Sequence, residues 1–284
     1  MPFGRITVSI ALASALLAGT AAAQQPFDQK KYPDIAGQWQ RVGPLGVFDS
    51  TKPPARGQQA PLTPEYQKIF EANLADVAQG GSGDDPVHTC IPEGMPRAMN
   101  LVLPMEVIIT PNTTYILMEY LSMLRRIYTD GRSFPEGFEP SYMGYSVGKW
   151  FDTDNDGTYD TLEIETRNMR GPRLFDSVGT PLSKDNDSVV KEKIYLDKSN
   201  PDVLWNEITT EDGALTRPWT VKRFYKRESH PIYKEYNCTE DNRWVAIGGE
   251  LYLADSEGYL MPIQKGQSAP DLKYLQKYFP QAKK

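Results

Sequence analysis

Residues 152–163 read Asp-Thr-Asp-Asn-Asp-Gly-Thr-Tyr-Asp-Thr-Leu-Glu. They satisfy the calcium-loop pattern D-x-[DN]-x-[DN]-G-x₅-E at each defined position. Calcium is a hard cation that takes several oxygens at once. Asp152, Asp154 and Asp156 offer carboxylates at alternate positions, and Gly157 permits a sharp turn. Thr158 offers its backbone carbonyl, Asp160 binds directly or through water, and Glu163 closes the site with two oxygens. An EF-hand would need a helix on each side. Upstream, Gly144–Trp150 contains two glycines and no helical stripe; downstream, Leu162, Ile164 and Thr166 alternate with Glu163, Glu165 and Arg167 at strand period. The segment therefore reads as a β-hairpin tip. Either a structural calcium pins it, or it is a solvated acidic turn, since Asn-Asp-Gly alone favours a turn.

A second group of residues points to acid–base chemistry. Glu192 alternates with Val190, Ile194 and Leu196, and Glu119 with Leu117 and Tyr115. A carboxylate aimed into a β-barrel must be paired or hold its proton, and such groups serve as general acids or bases. Arg125, Arg126, Tyr128, Asp130, Gly131 and Arg132 form a dense polar cluster, with Arg126 and Tyr128 on one strand face and Arg125 and Ile127 on the other. The catalytic assignment is a cofactor-free lyase, dehydratase or isomerase. Glu192 or Glu119 would abstract a proton, Arg126 would stabilise the developing negative charge, and Tyr128 or Asp130 would return the proton. The structural assignment is a buried Arg–Glu pair, with Arg223 facing the same way as Trp219 and Val221, and a salt-bridged strand end at 125–132. Trp150, Trp219, Tyr145 and His88 are candidate contacts for an apolar or aromatic ligand, or else core and loop residues.

Other chemistries are excluded. Gly144-Tyr145-Ser146-Val147-Gly148 matches the G-x-S-x-G elbow, but strands surround it where a hydrolase needs a helix. Two histidines are too few for a three-histidine zinc site. No dinucleotide fingerprint or haem motif occurs, so no organic cofactor is expected. No basic run occurs, which argues against nucleic acid.

The elements that would hold these residues can be read from pattern. Arg5, the apolar run Ile6–Leu17 and Ala21-Ala22-Ala23 form a signal peptide over residues 1–23, so the mature protein is expected to be periplasmic or secreted. The apolar run is too short to span a membrane. The net charge of −6 becomes −7 without Arg5. Cys90 and Cys238 are the two cysteines, an even count that in an exported chain predicts one disulfide. Residues 24–100 are expected to give a strand (35–42), a long loop and a helix that pack on a barrel; Thr63 caps the helix and Pro64 takes its first position. Residues 101–284 are expected to form the barrel. Candidate strands are 105–110, 114–120, 123–128, 144–150, 161–167, 188–196, 203–210 and 218–226, with a weaker pair at 243–247 and 250–253. Leu272–Phe279 reads as a short C-terminal helix.

Two resemblances support this outline. Gly37-Gln38-Trp39 looks like the G-x-W signature that opens lipocalin and calycin barrels. Over about residues 88–240, Cys90-x-Pro92-x-Gly94-x-Pro96, Arg126–Arg132, Gly144–Trp150, Asp160-Thr161-Leu162, Ile208-Thr209, Pro218-Trp219 and Cys238-x-Glu240 resemble an uncharacterised family of secreted proteobacterial proteins. The resemblance implies a mainly β fold, an antiparallel lipocalin-like barrel, and export. It implies no activity. The resemblance implies a shorter turn between the tryptophan and the Asp-Thr-Leu triplet in most relatives, so the calcium-type loop reads as an insertion. The expected function is action on a small apolar or aromatic molecule in a barrel cavity. The alternatives are a periplasmic carrier or an envelope interaction protein with a filled barrel.

Overall fold

The computed structural model describes residues 27–44 and 47–270. The signal peptide (1–23) and the expected helix Leu272–Phe279 lie outside the described residues. Nine strands close into a barrel: β1 (Gln38–Arg41), β2 (Met105–Ile109), β3 (Thr113–Met118), β4 (Met123–Tyr128), β5 (Tyr145–Phe151), β6 (Thr161–Arg167), β7 (Val189–Leu196), β8 (Val203–Glu211) and β9 (Trp219–Arg227). Strand β1 is itself a stave. It pairs with β2 and β9 and so closes the ring that the expected domain scheme placed wholly after residue 100.

The alternation of apolar residues that defines these strands also sets what faces inward. In β7, Val190, Glu192 and Ile194 are buried; in β8, Leu204, Asn206, Ile208 and Thr210 are. Helix α1 (Pro64–Ala78) precedes β2; the Thr63 hydroxyl accepts from the Tyr66 N–H, and the helix buries Phe70 and Asn73. After the barrel come one helical turn, α2 (Cys238–Asp241), and a small antiparallel sheet of β10 (Trp244–Ile247), β11 (Glu250–Ala254) and β12 (Leu260–Pro262). The Cys90–Cys238 disulfide spans 148 residues and fastens this tail to the segment before the barrel. Among the described residues no helix is long and apolar enough to cross a membrane.

The barrel is mixed rather than wholly antiparallel. Strands β4 and β5 run parallel and pair only at Ile127–Ser146 and Tyr128–Val147. Residues 129–144 provide the long crossover that parallel neighbours require. Gly144, at φ +66°, ends the crossover: a Cβ there would lie 2.5 Å from the Arg167 carbonyl oxygen. Gly148 admits the Ile127 side chain, which would meet a Cβ at 2.7 Å.

The barrel interior is packed. Trp39, Ile116, Ile127, Leu162, Val190, Leu204 and Ile208 fill it. One end is stoppered by Phe48, Phe175 and Trp219, with ring centroids 4.9–5.1 Å apart. The other is covered by Tyr32, 5.6 Å from Trp150 and 5.0 Å from Tyr159. The space beside Trp39, Met99, Met118 and Tyr225 is about 10 Å³, no more than one water.

Candidate functional site

The barrel wall separates the residues of the expected acid–base site. Glu192 lies inside, buried, and its partner is Arg125: Nη2–Oε2 is 2.5 Å and Nη1–Oε1 is 3.1 Å. Asn206 donates to Oε1 at 2.9 Å, and Arg125 also reaches the hydroxyls of Thr166 (2.9 Å) and Ser146 (3.4 Å). Arg126 points to the outside and is exposed. Arg223, the other candidate partner, faces inward but instead donates to the carbonyls of Val47 and Phe48. Its Nε and Nη2 meet no acceptor among the described residues. Burial lowers its pKa to about 10.

Glu119 does not share a face with Tyr115 and Leu117. Strand β3 ends at Met118, and the chain turns through Leu121 and Ser122 at positive φ. The Glu119 carboxylate leaves the strand and accepts from Gln38 Nε2 (2.5 Å) and the Lys234 N–H (2.9 Å). Asp130 is exposed and clamped by Arg132, whose hydrogen bonds hold its carboxyl below the usual range. Ser146 is a mid-strand residue bonded to Thr166 at 2.8 Å; no helix follows it, so the G-x-S-x-G match is not an elbow. Trp150 and Trp219 pack in the two barrel ends. His88 lies against Trp244, with ring centroids 4.2 Å apart and the rings tilted by 46°, and burial lowers its pKa.

Two places gather functional groups. The first is a pocket of about 270 Å³ at the seam, where β4 below Ile127 has no β5 partner. Leu124, Arg126, Tyr128, Phe138, Met143 and Tyr145 line it, with Arg125 and Ser146 at its floor. Tyr128 and Tyr145 stack at 4.9 Å, Phe138 meets Tyr145 edge-on at 5.2 Å, and the Arg132 guanidinium lies 4.0 Å over the Tyr128 ring. So Tyr128 and Tyr145 are brought together, and Arg126 is at the rim.

No family model and no curated protein matches the chain. The assignment of the site therefore rests on geometry.

The second place is the hairpin tip between β5 and β6. Carboxylate oxygens of Asp152, Asp154 and Asp156 lie within 4.8 Å of one another, an arrangement that fits a cation. Of the other three expected ligands, Asp160 and Glu163 have protein partners of their own, while the Thr158 N–H bond leaves its carbonyl, the group expected to bind, unengaged by it. Thr158 donates to Asp156, Asp160 accepts from the Thr153 N–H (3.0 Å) and hydroxyl (2.6 Å), and Glu163 pairs with Lys193 at 2.8 Å. Glu163 sits two residues inside β6, so the strand pleat turns it toward Lys193.

One group escaped the sequence reading. Glu93 is buried beside the Asp85–Arg97 pair (2.9 and 3.0 Å), and its Oε2 meets no donor among the described residues. Burial raises its pKa to about 7; Arg97 and the Tyr120 hydroxyl oppose the shift. Only its place between Cys90 and Gly94 marked it in the sequence.

Two predictions follow from these buried charges. Glu192→Gln leaves Arg125 buried without a counter-charge and should lose about 3–5 kcal/mol in chemical denaturation, whereas Arg125→Met with Glu192→Leu should recover most of it. Equal losses in both variants would show that the pair is not coupled. The second concerns Glu93, whose folded pKa lies above the unfolded 4.5. Its contribution is complete below pH 4.5 and is lost as pH rises to about 7, a loss of at most about 3 kcal/mol. Glu93→Gln should therefore flatten the stability–pH curve between pH 5 and 8; an unchanged curve rules the assignment out.

Proposed function

We propose that the protein is an exported binding protein that takes a small apolar or aromatic molecule in the seam pocket. The observation that carries this reading is the pocket itself: aromatic walls from Tyr128, Phe138 and Tyr145 around about 270 Å³. An apolar cavity of about 150 Å³ already accepts benzene, so a substituted single ring fits. The packed barrel interior argues against a ligand there. A catalytic reading needs Glu192 or Glu119 to face one substrate with Arg126; Glu192 lies across the wall from Arg126, and the Glu119 carboxylate is taken up by Gln38 and the Lys234 N–H, whereas binding needs only the walls. Export is supported by the apolar leader sequence and by the disulfide.

Calcium at Asp152, Asp154 and Asp156 completes the proposal as a structural ion. It would offset the mutual repulsion of three clustered carboxylates and stiffen the β5–β6 hairpin. No organic cofactor enters this reading.

The ligand reading is tested by saturation-transfer NMR and calorimetry with p-cresol, benzoate and cyclohexanol. Binding should weaken roughly tenfold, about 1.4 kcal/mol, on Tyr145→Ala. If none of the three binds, or if Tyr145→Ala binds equally well, the pocket is not the site. Calcium is tested by calorimetry on metal-stripped protein. One ion should bind with Kd about 10⁻⁴–10⁻³ M, the range of extracellular modules, and Asp154→Asn should weaken it at least several-fold. No heat at millimolar calcium would remove the ion from the proposal.

A further inference from the structure

The outside of the barrel is divided by chemistry. Over β6–β9 the outward positions carry charges paired across strands: Lys193–Glu163, Lys191–Glu211 and Lys222–Glu207. Over β2–β4 they do not. There the outward residues form a grid of two rows, Glu106–Leu117–Leu124 and Ile108–Tyr115–Arg126, each row running across the three strands in register. Ile108, Leu117 and Leu124 are 44%, 37% and 36% exposed. Glu106 and Arg126 stand at diagonally opposite corners, and among the described residues neither makes an ion pair.

We infer that this face binds a second copy of the chain across a two-fold axis along the Ile108–Leu124 diagonal. Strands lie about 4.8 Å apart and alternate residues about 6.8 Å apart, so rotation about that diagonal crosses the two sheets near a right angle. Orthogonal crossing is one of the two common sheet packings. The rotation sets Glu106 of each copy against Arg126 of the other, and places Ile108 on Ile108 and Leu124 on Leu124. An isologous contact of this kind is self-complementary.

The other axes fail. An axis along the strands sets Glu106 against Leu124 and Arg126 against Ile108. An axis across the strands sets Glu106 against Ile108 and Arg126 against Leu124. Both leave every charge facing an aliphatic side chain. The remaining diagonal sets like charges together. Only one orientation pairs both charges, so the corners select it. Six residues a side form a small patch, below standard interface size, so the dimer is weak and concentration-dependent. The inference stands whether or not the seam pocket takes a ligand, although Leu124 and Arg126 border both.

Sedimentation velocity on a dilution series of the mature protein tests it. Wild type should dimerise with Kd about 10⁻⁶–10⁻⁴ M. Arg126→Glu sets two carboxylates against each other at both ends and should weaken the dimer at least about 100-fold. Adding Glu106→Arg restores both pairs in reversed polarity and should return the Kd to within a few-fold of wild type, which also shows that the single variant is folded. A monomer at every concentration overturns the inference, as does a dimer indifferent to Arg126→Glu. A monomer that binds phosphatidylcholine vesicles through Leu117 would assign the face to lipid instead, and would also overturn it.

Discussion

The Arg125–Glu192 pair sets the terms for the rest of the barrel. Two ions taken out of water are tolerated only where their hydrogen-bonding capacity is met, and here Ser146, Thr166 and Asn206 from β5, β6 and β8 meet it. The pair thus ties together five consecutive staves, β4 to β8. Its net contribution to stability is small against well-packed apolar residues, but its effect on register is large. A one-residue slip of β4 would swing Arg125 outside and leave Glu192 buried and alone. The same pair occupies the middle of the barrel, among the buried side chains that fill it. Polar chemistry inside this barrel is used to assemble it.

The seam follows from how the barrel closes around that pair. Strands β4 and β5 must both deliver their inward residues, Arg125 and Ser146, to one layer, yet the chain enters both strands from the same end of the barrel. Only a parallel pairing does this, and it needs the long crossover 129–144. Two residue pairs suffice to close the ring, and below them the wall is made by side chains instead of a hydrogen-bonded ladder. A pocket at this point is therefore a consequence of topology. Its aromatic lining comes from the crossover (Phe138) and from the strand ends it connects (Tyr128 and Tyr145).

Most of the staves were legible in the sequence because period-two alternation and turn residues are local signals. The eight strands after residue 100 and helix α1, with its Thr63-Pro64 start, lie where pattern placed them to within a residue or two. The disulfide was legible from an even cysteine count. What was not legible depended on partners distant in the chain. Parallel and antiparallel strands carry the same alternation, so the seam was invisible. The choice between Arg125 and Arg126 was equally hidden. In β4 both faces are largely apolar, Met123 and Ile127 on one and Leu124 and Tyr128 on the other, so hydrophobicity does not say which arginine is inside. The reason for that ambiguity is the apolar outer face itself. Glu119 was misplaced for another reason: alternation was carried one residue past a strand that ends at Met118.

The tail shows how the molecule secures a part that has little core of its own. The three-stranded sheet β10–β12 is too small to be stable alone, and it is held by contacts that converge on the turn after β3 and the segment before β2. The disulfide joins Cys238 to Cys90, Tyr236 stacks on Tyr120 at 4.9 Å, Trp244 packs against His88, and the Lys234 N–H meets Glu119. Glu93 lies among these anchors, next to Tyr120, with an oxygen that meets no donor among the described residues. Ionising it places an incompletely solvated charge at the point where the tail meets the barrel. Arg97 is already engaged by Asp85 through both of its terminal nitrogens and can offset that charge only at a distance. Around this buried carboxyl the tail is held by one covalent link, the disulfide, and by the ring contacts of Tyr236 with Tyr120 and of Trp244 with His88.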